Sequence, residues 1–70
     1  MNKEYLALFA KHLKHLREER HLTQDDIGIN GISRSMISLL ETASTDVTIT
    51  KLKVIAQNLN VKVKDLFDFE

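Results

Sequence analysis

Apolar residues at Leu6, Phe9, Leu13 and Leu16 recur at three- and four-residue intervals, which places them on one face of a helix running from about Lys3 to Arg20. The opposite face is charged. Thr23 followed by Gln24, Asp25 and Asp26 reads as a helix start, because the hydroxyl can cap and early carboxylates suit the positive end of the helix dipole. This second helix is short and is expected to end near Asn30 and Gly31. Both glycines, Gly28 and Gly31, fall in that stretch and mark a turn. Ser33 then caps a third helix, Arg34 to Glu41, with Ile37, Leu40 and Met36 as its inward stripe.

Thr42 to Asp46 is polar and predicts a loop. Thr48 caps a fourth helix carrying Ile49, Leu52, Ile55, Ala56 and Leu59 at helical spacing, the clearest amphipathic pattern in the chain. Val61, Val63, Leu66 and Phe67 suit a last short helix, although the alternation from Val61 to Lys64 suits a strand equally well. A short helix is expected there. The expected fold class is all-α: a compact five-helix domain spanning 1–70, with no repeat, linker or low-complexity tract.

Composition narrows the class. The chain has 70 residues, 43% of them hydrophobic and 29% charged, which belongs to a globular domain rather than a disordered one. The absence of cysteine removes disulfides and thiolate metal sites, so an intracellular, cytoplasmic location is expected. Lys3 and Glu4 interrupt the opening Met1 to Ala10, which predicts neither a signal peptide nor a membrane span.

The net charge is zero, from ten basic and ten acidic residues, and this weighs against a nucleic-acid partner, since phosphate neutralisation supplies most non-specific affinity. The charges are unevenly spread, however. Lys11, Lys14, Arg17 and Arg20 with His12, His15 and His21 form one basic segment, and Lys51, Lys53, Lys62 and Lys64 another, so a basic face remains available.

Two short helices joined by a glycine-containing turn, the second opening on small polar residues, fit the geometry that puts a helix N-terminus into the DNA major groove. The run Leu16-Arg17-Glu18-Glu19-Arg20-His21-Leu22-Thr23-Gln24-Asp25-Asp26-Ile27 resembles the LREERGLTQEEL signature of the lambda-repressor/Cro-like (XRE-type) helix-turn-helix family. Ile32 to Ser38 is similar to that family's VSRSYIS, and Leu40-Glu41 to its IE ending. Thr48 to Val61 resembles SLETLLKIAKALGV, and Asp65-Leu66-Phe67 its closing ELF. Gln24 and Ser33 stand nine positions apart, one fewer than the common family pattern, and this shorter spacing resembles the DNA-binding domains of Rgg-type regulators.

The resemblance implies a transcriptional regulator that binds duplex DNA, with a recognition helix at about 33–42 and no cofactor, metal or small-molecule substrate. By position, Gln24 is similar to the family glutamine that holds a phosphate, with Thr23 capping beside it; both position rather than specify. Arg34 and Ser35 match the family's base readers, and arginine can donate twice to guanine. Ser33 and Ser38 are secondary candidates. Leu39 stands where relatives carry a polar reader and can touch only a thymine methyl or a protein. Thr42, Ser44 and Thr45 lie in a loop that lacks the family's glycine and basic residue, and offer hydroxyls and amides to phosphate. Arg17 resembles the arginine that pairs with a glutamate at the end of helix three, here Glu41.

The resemblance also implies a homodimer on a palindromic operator, with Val63, Phe67 and Phe69 in the contact. Plainer readings compete with these. Ser33 is explained by capping alone. His12 and His15 with Glu19 can be drawn as a metal site, but a charged helix surface with no converging third ligand is the commoner case. Asp25 and Asp26 point in different directions and do not form a catalytic pair. No nucleophile, base and acid arrangement or phosphate loop is present, so an enzyme is not expected. The alternative function is a helix-turn-helix interaction module, antitoxin-like or antagonist-binding, favoured by the zero net charge and by Leu39.

Overall fold

The computed structural model describes residues 2–70, and its elements begin where side chains can cap them. Asn2 accepts the Tyr5 amide through its side-chain oxygen at 2.9 Å and opens helix α1, Lys3–Glu19. Thr23, Ser33 and Thr48 cap α2 (Gln24–Ile27), α3 (Arg34–Glu41) and α4 (Ile49–Leu59) in the same way. At α2 the cap is reciprocal: the Thr23 hydroxyl accepts from the Asp26 amide, and the Asp26 carboxylate accepts from the Thr23 amide at 2.7 Å.

Three helices end alike. His21, Ala43 and Asn60 take left-handed backbone with φ of 56°, 56° and 58°. The following amides, of Leu22, Ser44 and Val61, reach back five residues to the carbonyls of Arg17, Leu39 and Ala56. These bonds satisfy carbonyls that a helix end otherwise leaves open.

Helix α1 packs on α3 and on the C-terminal turn, while α2 packs on α3 and α4. Between them Leu13, Ile27, Ile37, Leu40, Ile55, Leu59 and Leu66 are fully buried. Each such side chain contributes about 1.5–3 kcal/mol relative to exposure in water. The described residues measure 27 × 21 × 20 Å. None of the described helices is long and apolar enough to cross a membrane.

Three expectations are corrected. The fifth element is a 3₁₀ helix, Val63–Phe67, so there are four α-helices and one tighter turn. Its start is set by the Asp65 carboxylate, which accepts the Lys62 amide at 2.9 Å, and no strand partner exists among the described residues to favour the extended alternative. Helix α2 stops at Ile27 rather than near Asn30, because Gly28 leaves helical backbone (ψ 60°), and Asn30 and Gly31, with positive φ (57° and 89°), cannot resume a right-handed helix. Ile49, expected on the inner face of α4, sits at its first position and is 86% exposed.

Candidate nucleic-acid interface

The outer edge of α3 lies between two open grooves. Gln24, Arg34, Ser35, Ser38 and Leu39 line one. Ser33, Ser35, Leu39, Thr45, Asp46 and Lys51 are among the residues that line the other. Ser35 and Leu39 border both and form the crest between them. Leu39 is 47% exposed, a large apolar side chain held out to solvent at the centre of the face.

Backbone geometry places this crest. The Gly28 amide closes on the Gln24 carbonyl at 3.0 Å, and a Cβ on Gly28 would come within 2.8 Å of the Arg34 nitrogen and 2.9 Å of its Cα. Only glycine lets the end of α2 approach the start of α3 so closely. Asn58 on α4 then grips the turn: its side-chain amide donates to the Ile27 carbonyl at 3.0 Å and the Ile29 carbonyl at 2.9 Å, and its oxygen accepts from the Asn30 side chain at 2.9 Å. No sequence signal singled out Asn58, whose partners lie about thirty residues away.

Arg17 and Glu41 form a two-pronged pair beneath the face. Nε donates to Oε2 at 2.7 Å and Nη2 to Oε1 at 2.9 Å, while Nη1 donates to the Leu22 carbonyl at 2.8 Å. The bond to Glu41 raises the Arg17 pKa above its already high ordinary value. Gln24 joins this network, its amide nitrogen donating to Glu41 Oε1 at 3.2 Å. One of its two N–H bonds is thereby fixed inward, and the other is left for the groove.

Arg34 is anchored more lightly, with Nε 3.5 Å from Asp25 Oδ1 and both side chains mostly exposed. Thr23 and Ser33 spend their oxygens as acceptors in capping and retain a hydroxyl proton each.

The loop after α3 uses several of its donors locally. The Thr42 hydroxyl donates to the carbonyls of Ser38 and Leu39 and meets Ser44 Oγ at 2.8 Å, and the amides of Thr42, Ala43 and Ser44 all close the helix end. Most of the donors expected to face a phosphate are consumed locally, because without a glycine the left-handed ending at Ala43 relies on these bonds.

The basic face is smaller than charge counting suggests. Arg17 is buried, Arg20 bonds the Leu16 carbonyl and lies 3.6 Å from Glu19, and Lys11 borders a different surface with Leu8, His12, His15 and Phe69. Of the cations, Arg34 and Lys51 line the α3 grooves. His12 meets the Asp65 carbonyl at 2.7 Å and His15 meets Glu19 at 3.1 Å, so the two histidines serve separate contacts. Phe67 and Phe69 fold back on α1 rather than projecting: Phe67 lies 5.4 Å from the Phe9 ring and Phe69 5.4 Å from Tyr5. Val63 is 39% exposed.

Residues 13–66 match the helix-turn-helix family model HTH_3. The restriction-modification controller protein C.AhdI from Aeromonas hydrophila superposes with a TM-score of 0.84 at 25% identity, over 89% of this chain and 96% of that one. A mutant of the restriction-modification controller protein C.Esp1396I gives 0.85 at 29% identity, over 97% and 87%. An HTH_3 family transcriptional regulator from Vibrio cholerae gives 0.89 at 28% identity, over 97% of this chain but only 39% of that longer one. A search of curated proteins finds no significant match.

Proposed function

Because this chain belongs to the HTH_3 helix-turn-helix family, we propose that it is a transcriptional regulator that binds duplex DNA sequence-specifically, with α3 in the major groove. The observation that carries this reading is the α3 crest, where Arg34 and Ser35 are exposed and half-buried Ser38 and Gln24 line the same groove. Buried structure needs no polar group at Arg34 or Ser35, and small polar residues leave the helix N-terminal half free to approach base edges. Solved relatives described as a transcriptional regulator and as restriction-modification controllers support the same assignment.

In this reading Arg34 reads guanine, Ser33, Ser35 and Ser38 make shorter polar contacts, and Leu39 packs on a thymine methyl. Thr23 and Gln24 hold phosphates with the free donors left by capping and by Glu41, and Thr45 supplements them where Thr42 and Ser44 are committed to the helix end. The span 1–70 acts as one helix-turn-helix unit, of which Met1 lies outside the described residues. It works in the cytoplasm, as a homodimer on a palindromic operator, through the exposed Val63 and the edges of Phe67 and Phe69.

The second reading, an interaction module, rests on Leu39, whose exposed side chain suits a protein partner as well as a methyl group. Selection from a randomised duplex pool at low salt separates the two. Enrichment of a palindromic motif supports the regulator. No enrichment by the folded protein favours the interaction module, whose affinity for its partner is far less sensitive to salt than phosphate binding.

A further inference from the structure

Among the described residues, Arg34 and Asp25 are the one cation and anion paired between α2 and α3, at 3.5 Å between Nε and Oδ1. Their neighbours define what the pair can do. The adjacent carboxylate, Asp26, is consumed by the Thr23 amide, and Glu41 is enclosed by Arg17 and Gln24. Asp25 is therefore the carboxylate left to act on Arg34.

An arginine at the first position of an exposed helix, with five donors and a flexible stem, has two uses on DNA. Free to swing, it settles on the nearest phosphate and adds affinity without sequence information. Held by one edge, it presents its remaining donors in a fixed direction. The closest contact here is through Nε, whereas the edge formed by the two terminal nitrogens, which can match guanine O6 and N7 together, is a different edge of the guanidinium. The carboxylate also repels phosphate from the same spot, and Arg34 is the only cation in its groove.

Resting on the DNA-binding reading above, we infer that Asp25 is a specificity-determining positioning residue: it aims Arg34 at a base edge and suppresses its capture by the phosphate backbone. Asp25 trades non-specific affinity for discrimination. This also accounts for a DNA-binding face that is nearly neutral, with Arg34 and Lys51 set against Asp25 and Asp46.

The test compares wild type, Asp25→Asn, Arg34→Ala and the double variant on the duplex selected by wild type, on its single-base variants and on random duplex, over a range of salt. Asp25 is 77% exposed on its side chain, so Asp25→Asn should keep the fold, and a thermal melt checks this. Asp25→Asn is expected to bind random duplex about threefold to tenfold more tightly, with a log Kd against log salt slope steeper by about one. Its preference for guanine at the position read by Arg34 should fall at least about fivefold. In the Arg34→Ala background the same substitution should leave base preference unchanged. Unaltered preference in Asp25→Asn, or an equal change with and without Arg34, overturns the inference while leaving the regulator reading intact. Failure of wild type to select any site overturns both.

Discussion

Arg17 and Glu41, twenty-four residues apart, close a hydrogen-bonded ring that ties α1 to the last turn of α3, with side chains only 11% and 3% exposed. The pair also holds Gln24 at the base of the α3 face, since Gln24 hangs from the same carboxylate. Removing one partner strands a buried charge. Glu41→Ala is expected to cost about 3–5 kcal/mol, read as a fall in the urea midpoint, and to loosen Gln24 as well.

Ala43 and His21 hold left-handed backbone where a glycine carries no Cβ penalty. Ala43→Gly and His21→Gly are each expected to stabilise the protein by about 0.5–1 kcal/mol, the left-handed strain relieved less the extra entropy glycine has when unfolded. The melting temperature should rise by several degrees for each, and the two gains should add. A fall in melting temperature would show that the helix-ending bonds, rather than φ, limit these positions.

Gly28 is the tight point of the motif. Gly28→Ala drives a methyl group into backbone atoms of Arg34, and backbone cannot swing aside as a side chain can. The expected loss is about 1–3 kcal/mol, with amide chemical-shift changes concentrated on Ile27 to Ser35.

Arg34→Ala should relax base preference by about 1–3 kcal/mol at one position, whereas Gln24→Ala should weaken binding to all sequences alike. Gln24→Ala also loses its bond to Glu41, so it should cost about 1 kcal/mol of stability that Arg34→Ala does not. Site selection and melts on both variants read these differences directly.

Asp26 sets an acid limit. The Thr23 amide holds its carboxyl below the usual carboxylate range. A depressed folded pKa gives stability that is present above the unfolded value and lost as pH falls through the folded one. Wild type should therefore weaken as pH drops below about 4, and Asp26→Asn should flatten that part of the stability curve. An unchanged acid limb in Asp26→Asn would assign it to other carboxylates.

Much of the fold was legible because it is locally encoded. The caps at Thr23, Ser33 and Thr48 and the inward faces of α1 and α4 depend on spacing within a few residues. Helix ends were less legible: nothing in the residue types of His21 and Ala43 announces left-handed backbone. Ile49 misled because periodicity says which positions share a face, not where a first-turn side chain finds neighbours.

Hydrophobic period, caps and turn residues act through neighbours in the chain, and they set the four α-helices, their order and the polar opening of α3. Contacts between distant residues shaped the rest of the α3 face. Folding buried Arg17, turned Lys11 to another surface, spent the Thr42 to Ser44 donors on a helix end, set Asp25 beside Arg34 and brought Asn58 to the turn. Each of these depends on distances between residues far apart in the chain, or on which donors a particular backbone path leaves over.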